Sequence, residues 1–204
     1  MFICFEGIDG AGKTTQVDML RKKLCASGYS TETVADPGTT KIGTAIRSIL
    51  LDNDDPISPS AQMLLFSAAR AELVDYIKKR IASDTVVICD RWFLSTLVYQ
   101  GVLNNVPIPL IQNIFENTGF LVPDLCFILD ISPEEALVRM AAPSDRYERS
   151  CMDDRKLMRL AYLEYGSTLM YDADVKVVSA NGTPASTHEA ICSVVFDKLV
   201  FRST

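Results

Sequence analysis

The stretch Phe2-Ile3-Cys4-Phe5-Glu6-Gly7-Ile8-Asp9-Gly10-Ala11-Gly12-Lys13-Thr14-Thr15 decides how the rest of the chain is read. A strand-sized apolar run passes into G-x-x-x-x-G-K-T, and a helix-period pattern over residues 16–26 starts directly behind it. Glycines let backbone N–H groups converge on phosphate oxygens, and the helix end that follows adds positive potential. Lys13 reaches the terminal phosphates and Thr14 can hold Mg2+. The implied ligand is ATP or GTP, and the loop alone leaves the reaction open.

Outward from that loop, apolar runs at 31–35, 86–89, 125–129 and 175–178 alternate with helical patterns at 60–82, 133–140, 153–171 and 184–200. The expected fold class is therefore α/β, with a mostly parallel five-stranded sheet, helices on both faces and ligands at the carboxyl ends of the strands. The 204 residues fit a single domain, 1–204, without repeats or linkers, and 52–59 reads as an ordinary loop.

Composition narrows the classes further. With 48% hydrophobic and 23% charged residues, the chain is globular rather than disordered or fibrous. No apolar run approaches the roughly 20 residues of a membrane span. Met1 leads into the first strand without a basic region or cleavage site, so no membrane contact is expected and the default compartment is the cytoplasm. The six cysteines lack metal or disulfide-framework spacing and are read as reduced packing residues; the single histidine, His188, has no ligand partner nearby. A net charge of -6 disfavours nucleic acid and points to a small partner.

A second apolar run, Val86-Val87-Ile88-Cys89, ends in Asp90, where a P-loop protein places the carboxylate that supports Mg2+ through water; Arg91 follows. Two classes remain: a phosphotransferase acting on a small acceptor, and a GTPase switch whose output is protein binding. The base-reading tetrapeptide N-K-x-D of the switch class does not occur, whereas the arginines and lid that a kinase needs have candidates.

Several motifs, in order, resemble the bacterial thymidylate kinases of the P-loop nucleoside monophosphate kinase group over nearly the whole chain. Phe5 to Thr15 resembles the family's phosphate loop, so that Gly7, Ile8, Asp9, Gly10, Ala11, Gly12, Lys13, Thr14 and Thr15 bind ATP. Asp90-Arg91-Trp92-Phe93-Leu94-Ser95-Thr96-Leu97-Val98-Tyr99-Gln100-Gly101 resembles D-R-Y-x-x-S-S/T-x-A-Y-Q-G, and Leu64-Leu65-Phe66-Ser67-Ala68-Ala69-Arg70 resembles L-L-F-x-A-x-R. The resemblance implies a P-loop kinase fold with a short lid at about 139–150, ATP and dTMP as substrates, Mg2+ as cofactor and a homodimer formed through the acceptor helix at 60–82. The runner-up is another deoxynucleoside monophosphate kinase.

The same resemblance implies residue roles. Phe66 and Arg70, four apart on one helix face, stack on thymine and donate to a ring carbonyl. Arg47 and Arg91 hold the acceptor's monophosphate, and Asp9 lies near the sugar 3'-hydroxyl. Thr96 and Gln100 read the base edge, and Tyr99 crowds the 2' position. Thr14 and Asp90 are the metal residues, and Lys13, Arg91 and Asp9 are catalytic. The family's T-R-E-P-G appears as Val34-Ala35-Asp36-Pro37-Gly38, which keeps a carboxylate, Asp36, expected to orient Arg47 or Arg91. Gly10 stands where some members carry a loop arginine, so Arg139 or Arg146 of the lid is assigned to the transferring phosphoryl group, with Arg149 and Arg155 as alternatives.

Overall fold

The computed structural model describes residues 1–52, 55–140, 147, 150–168 and 173–202. Strands β1 (Phe2–Glu6), β2 (Thr31–Ala35), β3 (Val86–Asp90), β4 (Leu125–Asp130) and β5 (Asp174–Ser179) form one sheet in the order β2-β3-β1-β4-β5. Every pairing is parallel. This meets the expectation of an α/β fold and sharpens "mostly parallel" to parallel throughout.

Successive side chains of a strand point to opposite faces, yet every residue of β1 is buried, so both faces of the sheet centre are covered. Helices α1 (Lys13–Ala26) and α8 (Pro184–Arg202) pack on each other. Helix α3 (Pro59–Ala82), α4 (Phe93–Thr96), the π-helix Leu97–Leu103 and α7 (Met152–Thr168) form a second group. Cys4 pairs in register with Cys89 of β3 and Cys126 of β4, and all three are buried free thiols, as read from the sequence. Among the described residues no helix is long and apolar enough to cross a membrane.

Two helices escaped the sequence reading. Helix α2 (Lys41–Leu51) begins at Thr40, whose Oγ1 accepts the Gly43 N–H at 2.9 Å, and its Ile46 and Leu50 form a small separate core with Ala69 of α3. The Thr- and Gly-rich approach to it looks like loop in sequence, and tertiary burial decides otherwise. Helix α5 (Ile108–Asn117) follows a turn in which Asn105 adopts φ 55. The last predicted helices are close: α6 is Pro133–Arg139, capped by Ser132, and α7 is described to Thr168.

Candidate active site

The chain leaves β1 through Gly7, Gly10 and Gly12, all at positive φ, and Gly12 is the N-cap of α1. Gly10 is required sterically as well: a Cβ there would lie 2.3 Å from the Ala136 carbonyl oxygen. Lys13 Nζ donates to the Gly7 and Ile8 carbonyls at 3.0 and 2.9 Å. Burial, and next the charge of Arg91, lowers its ammonium from 10.5 to about 8, against the opposing pull of Asp9 and Asp90. Thr14 Oγ1 donates to Asp90 Oδ2 at 2.6 Å, which joins the start of α1 to the end of β3. Gly10, Ala11, Gly12, Lys13, Thr14 and Thr15 line an open cavity of about 1790 Å³ that continues past Asp90 to Arg139, Ala180 and Pro184.

A pocket of about 550 Å³ adjoins it, and the structure brings there each residue that the sequence assigned to the acceptor. Asp9, Arg47 and Arg91 face both spaces, while Phe66, Arg70, Thr96, Tyr99 and Gln100 line the smaller one. The π-helix matters here, because its wider turn still leaves Thr96, Tyr99 and Gln100 on the pocket side.

Arg91 sits in the left-handed region, at φ 68, directly after β3. Its Nη2 pairs with Asp9 Oδ1, and Nη1 donates to Gly7 O, Ser95 Oγ and Tyr162 OH at 3.3, 3.1 and 3.2 Å. Asp9 also accepts the Tyr99 hydroxyl at 2.7 Å. Burial pushes the Asp9 carboxyl up, but Arg91 and then Lys13 outweigh it and hold the group at about 2. The carboxylate of the phosphate loop therefore stands between the two spaces, neutralised by Arg91 and bonded by Tyr99.

One expectation is corrected. Asp36 orients neither Arg47 nor Arg91: its fully buried carboxylate pairs with Arg70 Nε. Arg47 lies on α2, exposed, and donates to Pro37 O at 3.0 Å, while Arg91 already has Asp9. Arg47 and Arg91 line the same pocket as Asp36, but among the described residues the ion pair of Asp36 is with Arg70. Arg70 Nη2 donates to Thr96 Oγ1 at 3.0 Å and Trp92 O at 3.3 Å, and its guanidinium lies over the Phe115 ring. Arg70 Nη1 and Gln100 Nε2 have no hydrogen-bond partner among the described residues.

Most of the lid, including Arg146 and Arg149, lies outside the described residues. Arg139 is placed at the end of α6, donating to Glu135 at 3.3 Å and to Gly182 O at 3.1 Å. Arg155 is buried in α7, donating to Ser150 O at 3.2 Å. Sequence reasoning passed over Tyr147, whose ring meets Phe66 and Tyr99 edge-on at 5.9 Å and whose hydroxyl donates to Gln62 Oε1 at 3.0 Å. It also missed Ser95 and Tyr162. Ser95 stood inside the Asp90–Gly101 motif; Tyr162 carries no local signal, being 71 residues from Arg91.

A glycine-rich loop leaving the central strand of a parallel sheet, with guanidinium groups gathered in the next pocket, is the equipment of a P-loop kinase. The thymidylate kinase family profile matches residues 5–191. A thymidylate kinase of Chlorobium limicola is 43% identical over 177 residues, covering 80% of this chain and 81% of that one. One from Prosthecochloris aestuarii is 38% identical over 213 residues, covering 97% and 94%. One from Thermoanaerobacter sp. is 40% identical over 166 residues, covering 80% and 82%. The chain belongs to the thymidylate kinase family.

Proposed function

We propose that the protein transfers the terminal phosphoryl group of ATP to dTMP, giving dTDP and ADP, with ATP along the glycine-rich loop and dTMP in the smaller pocket. The observation that carries the choice of acceptor is that the donor-bearing side chains of Arg70 and Gln100 line one pocket with Phe66. They suit a pyrimidine carbonyl where thymine has one, and they oppose the amino group cytosine carries there. Phe66 is the stacking platform, and Thr96 reads the base edge through Arg70. Tyr99 crowds the 2' position, and Asp9 lies at the sugar.

In the reaction an anionic oxygen of the acceptor phosphate attacks the terminal phosphorus, so no side-chain base is needed. Arg91 and Arg47 hold the acceptor phosphate, Lys13 neutralises the charge passing to the leaving diphosphate, and Arg139 or Arg146 supplies the remaining positive charge. The Thr14 hydroxyl and the Asp90 carboxylate are hard oxygens 2.6 Å apart, a donor set that fits Mg2+, which keeps several waters and binds through few protein groups. When bound there, Mg2+ would neutralise phosphate oxygens. We assign the protein to the cytoplasm, in keeping with six free thiols, and expect a homodimer through α3, where Leu64 is 55% exposed.

The test is ADP release across the nucleoside monophosphates. dTMP should give the highest kcat/KM, with dCMP, dGMP and AMP at least roughly 10²-fold lower; equal turnover of dCMP would sink the reading.

Lys13 gives a second check. Free protein loses the Lys13 proton as pH rises through about 8, whereas bound phosphates favour the ammonium and raise its pKa. Through Lys13, ATP binding should then take up roughly three-quarters of a proton at about pH 8.5 and almost none at about pH 6.5. Calorimetry in buffers of different ionisation heat measures this, and buffer-independent heats at the higher pH would remove Lys13 from the phosphates.

A further inference from the structure

We propose that Glu6 is a positioning residue whose carboxylate orients the Ser95 hydroxyl and, through it, holds the Arg91 guanidinium in place for the acceptor's phosphate. The inference rests on the assignment of Arg91 to that phosphate. Glu6 closes β1 and is 0% exposed. Its Oε1 accepts the backbone N–H groups of Trp92 and Ser95 at 2.9 and 3.2 Å, and its Oε2 accepts the Ser95 hydroxyl at 2.6 Å.

A serine hydroxyl has one proton, and here it goes to Glu6. The Ser95 oxygen is left as an acceptor for Arg91 Nη1 at 3.1 Å and for the Tyr162 hydroxyl at 2.9 Å. Tyr162, having given its proton to Ser95, accepts from Arg91 Nη1 at 3.2 Å. Burial raises the Glu6 carboxyl, while the Ser95 hydroxyl, Arg91 and the two backbone N–H groups oppose that rise and occupy both its oxygens; the ionised form they favour has no proton to give, so each proton in the chain points from Arg91 toward Glu6.

The neighbours of Glu6 act on the same arginine. The Phe5 carbonyl accepts the Arg91 backbone N–H at 3.0 Å, and the Gly7 carbonyl accepts from Nη1 at 3.3 Å. Three consecutive residues thus grip an arginine whose left-handed backbone, at φ 68, is disfavoured for a residue with a side chain. The same three residues lead into the glycine-rich loop, so one strand exit sets the position of both phosphate-binding groups relative to each other.

Glu6→Gln keeps the volume and reverses one proton. The amide oxygen is claimed by the two backbone N–H groups, so the NH2 faces Ser95, whose hydroxyl must accept and turns its own proton toward the guanidinium. Arg91 then meets a donor where it had an acceptor. Binding of dTMP, of thymidine and of ATP is measured for the wild type, Glu6→Gln, Ser95→Ala and Arg91→Ala. Glu6→Gln and Ser95→Ala should each weaken dTMP roughly tenfold, while thymidine, which has no phosphate, and ATP stay within about twofold.

Parallel weakening of thymidine and dTMP would mean a merely structural role and overturns the proposal. So does unchanged dTMP binding in Glu6→Gln. If Arg91→Ala keeps the preference for dTMP over thymidine, the assignment of Arg91 falls and the inference with it. If Arg91→Ala loses that preference and the other two variants keep it, the inference alone falls. Where Glu6→Gln does not fold, Ser95→Ala decides, since it removes the oxygen that links Glu6 to Arg91.

Discussion

Lys13→Ala is expected to lower turnover of dTMP and ATP roughly 10²- to 10³-fold, a loss typical of removing one preorganised charge from a developing anion. Arg47 and Arg139 line the same cavity, but each is held elsewhere, Arg47 by the Pro37 carbonyl and Arg139 by Glu135 and the Gly182 carbonyl. Asp9 and Asp90 are anionic, and Arg91 is occupied by Asp9, Ser95 and Tyr162. The fold should persist, because Lys13 contributes two hydrogen bonds to loop carbonyls rather than core packing. A coupled assay at saturating substrates, beside a thermal melt, measures both. Turnover within about tenfold of the wild type would transfer the role elsewhere.

Arg70→Ala should damage the fold as well as the recognition of dTMP. It leaves the Asp36 carboxylate buried without its cation, which costs about 3–5 kcal/mol of stability when one partner of a buried pair is removed. Asp36→Asn/Arg70→Ala should recover much of that loss, since it removes both charges. Acidity separates the two variants. Burial already raises the Asp36 carboxyl above its ordinary value even with Arg70 present, and loss of Arg70 raises it further. A raised folded-state value means that the deficit is absent below the unfolded value, near 3.9, and grows as pH rises toward the folded one. The single variant should therefore be closer to wild-type stability at about pH 5 than at about pH 8, and the double variant should show no such trend. A single variant as stable as the double one at pH 8 would contradict the ion-pair account. Recognition should suffer in both variants, seen as a raised KM for dTMP with a smaller change in kcat.

How much the amino-acid sequence discloses depends on how far apart the participating residues lie along the chain. The phosphate loop is local: strand, glycines, Lys13 and the helix start occupy one stretch, so chemistry and geometry are legible together. Phe66 and Arg70 are legible because four positions on a helix fix a shared face. Partnerships are not. Asp36 and Arg70 are separated by 34 residues, and the motif that supplies Asp36 suggests a different arginine. Glu6 stands at the entrance to the phosphate loop, yet its value depends on Ser95, 89 residues away, and a buried acid at a strand end has no spacing signature. Helix α2 is hidden because its N-terminal Thr and Gly carry loop propensity, and burial of Ile46 and Leu50 against α3 outweighs that propensity.

Gly10 sets a limit on how the phosphate loop can be exchanged. Its φ of 86 and the Ala136 carbonyl, 2.3 Å from where a side chain would begin, tie the loop sequence to the position of α6. A loop from a relative with a larger residue there is not a portable module. Grafted alone it would collide with backbone, which cannot rotate aside as a side chain can. A working chimera has to bring its own segment around Ala136, so these two stretches, distant along the chain, are inherited as one unit.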